Sequence, residues 1–340
     1  MTLCVKVPFK DAERVKRLLE RKGVLDPLHR YDKDERHIYF PITRKLEEPG
    51  LIYAKRVLPA AKKKNTLREQ LRSQLTPEEL AHVKSSYDIV GSIAIIEVDK
   101  ALAQRERIIA NAVLAMNKHV STVLKKEGGH EGELRLQKMR CLAGKDTRET
   151  IVKENGVTLL VDVERVYYSV RSATERKRIA QLVKKGERVL VMFSGAAPYP
   201  CVIAKLAAPA HVVGIELNKR GHELGIENVR RNKLDTVTLM HGDVRELVPL
   251  LAQQGETFDR IVMPLPHTGH DFLDEALSVA RTGTVVHLYD FEHEDEFEKG
   301  AEKARAGAAR NGKRAEILGI VACGQHSPRV YRICVDFKVL

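Results

Sequence analysis

Residues 189–200, Val-Leu-Val-Met-Phe-Ser-Gly-Ala-Ala-Pro-Tyr-Pro, constrain the fold more than any other stretch of the chain. A short apolar run stops at a turn of small residues, Ser194-Gly195-Ala196-Ala197-Pro198. A helix-compatible segment, Cys201-Val-Ile-Ala-Lys-Leu-Ala-Ala, follows. Strand, tight loop and helix in this order open a doubly wound sheet, where ligands bind beyond the carboxyl ends of the strands. A second strand, His211-Val-Val-Gly-Ile, ends in Glu216, an acid suited to hydrogen bonding with ribose hydroxyls. The loop lacks the three glycines of a dinucleotide fingerprint, which argues against a pyrophosphate. A smaller ligand with an adenosine end, such as S-adenosylmethionine, fits better.

A chain of 340 residues predicts two or three domains, each able to bury a core. No apolar run is long enough to cross a bilayer, and the start, Met-Thr-Leu-Cys-Val-Lys-Val-Pro-Phe-Lys, lacks the apolar region of a signal peptide. A cytoplasmic location is therefore expected. The five cysteines, Cys4, Cys141, Cys201, Cys323 and Cys334, are scattered and form no Cys-x-x-Cys pair. Neither a disulfide framework nor a zinc ribbon is expected, and no metal site is assigned.

The formal charge of +12 favours a polyanionic partner held through phosphate contacts. Lys55, Arg56, Lys62, Lys63, Lys64, Arg68 and Arg72 form one basic run, opposed only by Glu69. Arg171, Arg176, Lys177 and Arg178 form another, just ahead of the ligand loop. Basic surface beside a cofactor site points to a nucleic-acid substrate. The absence of Trp and the low aromatic content, 5%, argue against a large base-stacking platform.

The pattern divides the chain into a small α+β module at residues 1–55, a basic linker at 56–72, a middle α+β domain at 73–165 and an α/β domain at 166–340. In the first, Val15, Leu18 and Leu19 repeat at helical spacing between two strands. In the middle domain, Thr76-Pro77 starts a helix, residues 100–118 form another, and Leu134–Leu142 and Val157–Val163 read as strands of a mixed sheet. Glu154-Asn155-Gly156 signals a hairpin turn. In the α/β domain, seven strand candidates begin at Val189, Val212, Val237, Arg260, Val285, Ala315 and Val330. The last two are joined by a loop short enough for a hairpin. A mostly parallel, seven-stranded mixed sheet with an antiparallel end is the class I methyltransferase architecture, a Rossmann-like α/β fold.

Four strand ends then build the cofactor pocket. Phe193, Ser194, Gly195 and Ala197 pass beside the methionine and ribose moieties, small side chains letting the backbone approach. Glu216, with Leu217 beside it, takes the ribose. Asp243 accepts the adenine amino group and the Val244 N–H reaches a ring nitrogen, although Asp243 is equally suited to cap the helix that follows. Pro264 stands where amino-group methyltransferases carry a polar residue, in Met263-Pro264-Leu265-Pro266. Two prolines fix a rigid backbone and leave only carbonyls to hold a target.

Seven ordered motifs extend this reading: Asp88-Ile-Val-Gly-Ser-Ile-Ala-Ile-Ile, Gly132-Glu-Leu-Arg135, Leu142-Ala-Gly-Lys-Asp-Thr-Arg-Glu-Thr, Glu154-Asn-Gly, Val166-Tyr-Tyr-Ser-Val-Arg171, Ala173-Thr-Glu-Arg176 and Met192-Phe-Ser-Gly. Together they resemble the archaeal and eukaryotic tRNA (guanine-37-N1)-methyltransferase family over essentially the whole chain. The resemblance implies methyl transfer from S-adenosylmethionine to N1 of the guanine just 3′ of the anticodon. It implies Glu175 as the general base that removes the N1 proton and Arg135 as the donor that steadies charge on O6. Tyr167, Arg171, Arg176 and Phe193 match family positions that line the cofactor and target pocket. Arg171 also serves RNA, as do Lys62, Lys63 and Lys64, which follow phosphates without reading sequence. The N-terminal module resembles the family's tRNA-corner-recognition domain, and a monomer is expected.

Three departures stand out: Val191 replaces the aspartate of the family's usual Leu-Asp-Met-Phe-Ala-Gly-Val-Gly strand, Ala197 its second glycine, and Pro264 the polar residue of the fourth motif. Rival readings are an aminocarboxypropyl transferase of wybutosine synthesis, methylation of a tricyclic guanosine derivative, and a tRNA-binding protein with an inactive methyltransferase domain.

Overall fold

The computed structural model describes residues 1–60, 66–129, 132, 134 and 136–340, which divide into two compact units, Met1–Thr66 and Leu67–Leu340. In the smaller unit, strands β1 (Thr2–Pro8), β2 (Asp32–Lys33), β3 (His37–Pro41) and β4 (Ile52–Arg56) form an antiparallel sheet in the order β2-β3-β1-β4. Helix α1 (Ala12–Arg21) buries Val15 and Leu19 against Val5, Val7 and Phe40 of that sheet. The module does not stop at residue 55. Arg56 ends β4, lies over the Tyr39 ring at 4.4 Å and pairs with Asp32 at 2.9 Å.

The other end of the expected linker is also structured. Helix α2 (Leu67–Leu71) buries both Leu67 and Leu71 in the larger unit, so apolar spacing outweighs the surrounding charge. Lys62, Lys63 and Lys64 lie outside the described residues. Next come helix α3 (Pro77–His82), closed by a Thr76–Glu79 capping box, and strands β5 (Asp88–Val90), β6 (Ile93–Ile96), β7 (Thr122–Lys126) and β8 (Met139–Gly144). The sheet is mixed: β6 and β7 are parallel, joined through helix α4 (Glu106–Met116), and the outer pairs are antiparallel. Strand β8 begins at Met139 rather than Leu134.

Strands β9 (Glu149–Glu154) and β10 (Val157–Asp162) form a hairpin closed by Asn155 and Gly156, at φ 45° and 80°, the signature of a two-residue type I′ turn. Strands β11 (Arg188–Val191), β12 (His211–Glu216), β13 (Val237–His241), β14 (Phe258–Met263), β15 (Ala280–His293), β16 (Ala315–Ser327) and β17 (Val330–Val339) build the large sheet in the order β13-β12-β11-β14-β15-β17-β16. The first five are parallel and β17 and β16 add antiparallel, which is the class I methyltransferase topology. Helices α5 (Ala173–Leu182), α6 (Pro198–Ala207), α7 (Lys219–Asn232), α8 (Val244–Gln253), α9 (Leu273–Ser278) and α10 (Glu298–Arg310) cover its faces. Alternate residues of β11 serve different cores: Val189 and Val191 pack with Ile203 and Leu224, and Leu190 with Val248 and Leu277. That two-sided burial explains the unbroken apolar run. No helix of the described residues is long and apolar enough to cross a membrane.

The β9–β10 hairpin is a separate two-stranded sheet that packs both on the large sheet's helices and against the middle sheet, where Thr150 Oγ1 accepts from the Ser92 N–H at 2.9 Å. Asn228 of α7, fully buried, accepts from the Leu160 N–H at 2.6 Å and donates to the carbonyls of Leu160 and Ala196, both at 2.9 Å. Asn232 makes a similar pair of bonds to Thr158. These bonds join residues 149–162 to the catalytic layers, so the boundary expected at residue 165 is not a boundary in packing.

Strand order reverses between β11 and β14, and the crevice there is entered by the β11–α6 loop. Ala197 caps α6 at φ 59° and ψ 36°, a left-handed conformation that glycine adopts without strain. Relieving this strain recovers ~1–2 kcal/mol, while deleting the buried methyl costs ~0.8 kcal/mol. Ala197→Gly should therefore change stability by no more than about 1 kcal/mol in urea unfolding, with the two effects largely cancelling. Ala197→Val should unfold the loop, because a β-branched residue at this φ also meets α7; it is checked by the same unfolding curve.

Candidate active site

A cavity of about 610 Å³ opens at the carboxyl ends of β11, β12, β13 and β14. It brings together Tyr167, Phe193, Gly195, Glu216, Leu217, Asp243, Val244 and Pro264. Glu216, at the end of β12, organises two loops. One carboxylate oxygen accepts from the Gly195 N–H at 2.5 Å, the other from the Asn218 N–H at 2.7 Å. Asn218 then caps α7, accepting from the Arg220 N–H at 2.9 Å. Burial pushes the Glu216 carboxyl above its ordinary range, opposed by those two amide bonds. Each oxygen retains a lone pair for a vicinal diol.

Asp243 caps α8, accepting from the Arg245 N–H at 2.8 Å, and also faces the cavity. The Arg245 side chain beside it holds its carboxyl below the usual range. Leu217, Val244 and Ile215 supply apolar wall suited to an adenine face. Phe193 meets Phe272 edge-on at 4.9 Å between centroids, and Arg245 lies 5.7 Å from the Phe272 ring. At the end of β14 the Leu265 N–H returns to the Met263 carbonyl at 2.8 Å, a three-residue turn centred on Pro264. That turn carries Leu265, Pro266, His267 and Thr268 onto the wall. Phe272, His267 and Thr268 were missed in the sequence because they follow the proline motif and have no periodic signal of their own.

Several expected residues lie elsewhere. Ser194 is buried with its hydroxyl unpartnered among the described residues, and Ala197 is wholly buried under α7; neither reaches the cavity. Arg176 is 3% exposed and forms a two-bond ion pair with Glu154, both at 2.6 Å, while its guanidinium lies 5.1 Å from the Tyr168 ring. It ties the β9–β10 hairpin to α5 and does not line the cavity. Arg171 is mostly exposed, reaches Asp88 at 2.9 Å and lies on a second cavity rather than this one. Glu175 is also off the wall. It is 5% exposed, and it accepts from Arg178 Nη2 and Nε, at 2.7 and 2.8 Å, and from the Tyr289 hydroxyl at 2.6 Å. Arg135 lies outside the described residues.

The comparisons with known proteins follow the same division of the chain. The TRM5/TYW2 methyltransferase domain matches residues 150–318, the TYW2 N-terminal domain residues 67–147, and the tRNA methyltransferase 5 N-terminal domain residues 4–50. The tRNA (guanine(37)-N(1))-methyltransferase Trm5b of Pyrococcus abyssi is 34% identical over all of this chain and 99% of its own. The chain belongs to the TRM5/TYW2 methyltransferase family. The crystal structure of Trm5b from Pyrococcus abyssi superimposes with a TM-score of 0.74 over 100% of this chain and 99% of that one. The structure of aTrm5 in complex with tRNALeu, 26% identical, gives 0.70 with 99% of each chain covered. A Pyrococcus horikoshii tRNA(Phe) (4-demethylwyosine(37)-C(7)) aminocarboxypropyltransferase is 28% identical over 81% of this chain and 97% of its own.

Within this family framework, the departure at Val191 is explained by burial: the residue is fully enclosed in a hydrophobic core, where a carboxylate would be costly. Behind α5 the charges form one continuous chain. Arg178 bridges Glu175 and Asp336, reaching the latter at 2.6 Å. Asp336 bonds His287 Nδ1 at 2.6 Å, and His287 Nε2 lies 2.7 Å from Arg260, which pairs with Glu187 at 2.8 Å. An arginine only donates, so Nε2 accepts, the ring proton sits on Nδ1, and His287 is neutral. Burial first, then Arg260 and Arg178, lowers the His287 pKa, with Asp336 opposing.

Two outcomes are expected. Glu216→Gln replaces one acceptor with a donor facing an amide, so calorimetric titration should show S-adenosylmethionine affinity weakened on the order of tenfold or more. For His287, the unfolded chain takes up a proton below its ordinary value of 6.5 and the folded chain resists it, so stability held above that pH is lost on acidification. Gln at 287 supplies the same donor and acceptor without titrating. The melting temperature of His287→Gln should therefore fall less than that of the native protein between about pH 7 and pH 5.

Proposed function

We propose that this chain is an S-adenosylmethionine-dependent tRNA methyltransferase acting on N1 of guanine 37, working as a monomer in the cytoplasm. The observation that carries the reading is the cavity at the β11–β14 strand ends, lined by Glu216, Asp243 and Val244, in a chain similar along its full length to a tRNA (guanine(37)-N(1))-methyltransferase. All five cysteines are free thiols, in keeping with a reducing compartment.

Glu216 would hold the ribose, Asp243 and Val244 the adenine, and Tyr167 and Pro264 would flank the reactive end. S-adenosylmethionine supplies an electrophilic methyl on a sulfonium. Guanine N1 carries a proton at neutral pH, and its lone pair is delocalised into the ring amide, so the proton must leave as the new bond forms. We assign its removal to Glu175, which has to exchange Arg178 for the guanine edge when RNA enters. The exchange does not strand Arg178, because Asp336 remains its counter-charge at 2.6 Å. Catalytic contacts often form only in the substrate complex. Charge developing on O6 is assigned to Arg135. The Met1–Thr66 unit and Lys62–Lys64 would engage tRNA away from the reacting base.

The deciding experiment is mass spectrometry of nucleosides from a G37 tRNA transcript incubated with the protein and S-adenosylmethionine. The expected product is 1-methylguanosine, absent with an A37 transcript. An aminocarboxypropyl adduct, or no product with cofactor bound, overturns the reading. Glu175→Gln should lower kcat on the order of a hundredfold with cofactor affinity unchanged.

A further inference from the structure

Beside the cofactor cavity lies a second one of about 500 Å³, and Val166 and Tyr167 form walls of both. Phe291, His326 and Arg332 lie on the wall of the second cavity. Phe291, near the end of β15, and His326, near the end of β16, are stacked rings, 4.1 Å between centroids with planes 29° apart. The Phe291 ring also lies 6.5 Å from the ring of His267, which lines the cofactor cavity. A row of three rings thus runs from one cavity to the other.

The charge on the same wall is distinctive. Arg332 donates to the Ser172 hydroxyl at 2.9 Å and to the Cys323 carbonyl at 3.0 Å, both neutral acceptors. Among the described residues no carboxylate pairs with it, and its Nε has no partner. Arg171 on this cavity, by contrast, is matched by Asp88. A guanidinium fixed in place without a counter-charge, next to an aromatic stack, has the chemistry of a nucleotide site: ring for base, cation for phosphate.

A second physical argument says which nucleotide. A base taken out of its stack to reach a pocketed methyl donor leaves its neighbour with one bare face. Stacking that face on protein rings recovers part of the loss and holds the strand open. We infer that the second cavity seats a nucleotide adjacent to the methylated guanosine, its base on the Phe291–His326 stack and its phosphate on Arg332. The inference rests on the tRNA methyltransferase reading above.

The test uses full-length protein and G37 tRNA transcripts that are intact or abasic at position 36 or at position 38. With intact RNA, His326→Ala, Phe291→Ala and Arg332→Gln should each raise KM for tRNA on the order of tenfold, with S-adenosylmethionine affinity by calorimetry within about twofold of the native protein. An abasic site on one side of G37 should cost the native protein a similar factor and cost His326→Ala nothing further. Unchanged KM in His326→Ala, or losses that multiply at both positions, overturn the inference. So does a loss confined to kcat and identical for intact and abasic RNA, which places the methylated guanine itself in this cavity. Absence of 1-methylguanosine from the native reaction is the separate failure of the function.

Discussion

The ligand crevice depends on one carboxylate. Glu216 binds the amide of Gly195 in the first loop and the amide of Asn218 in the second, so two chain segments from different crossovers are fixed by a single side chain. The neighbouring positions are shaped around it. A Cβ at Gly221 would come within 3.2 Å of Glu216 Cγ, and a Cβ at Gly214 would meet Leu239 at 2.6 Å. The glycines of β12 and α7 therefore leave room for the acid and its strand, and the acid in turn orients the loop that meets the cofactor.

The larger architecture could be read from the sequence because it rests on periodicity and on turn chemistry. All seven strands of the large sheet were visible as apolar runs, and Asn155-Gly156 announced its hairpin. The acid at the end of β12 and the cap at the start of α8 could likewise be placed from their positions in the pattern. What could not be read was the direction of side chains within a motif. Arg176 and Glu175 are adjacent to the motif that suggested a pocket, yet both turn inward, because α5 presents that face to the hairpin and the sheet. The basic run misled in the same way: Arg56 belongs to a strand and Leu67 and Leu71 to a core.

Low aromatic content argued against a large base-stacking platform, but it could not show which rings meet: Phe291 and His326, 35 positions apart in sequence, stack because β15 and the β16–β17 hairpin bring them together. Composition counts rings; only topology pairs them. The buried ions follow a related logic. Isolated, Arg176, Glu154, Asp336 and Arg178 would each be expensive to desolvate. Linked by short hydrogen bonds, they fix the register of α5 against the hairpin and β17, which apolar packing alone would specify less strictly.

Ala197 has a consequence for how this lineage can drift. With Leu239 its methyl closes the space beside Gly225, where a Cβ would lie 2.8 Å from Leu239 and 3.3 Å from the methyl. Bulk gained on the α7 side therefore forces the Leu239 side chain to turn and crowds the loop at Ala197 as well, so drift at this helix position is tied to both neighbours by volume.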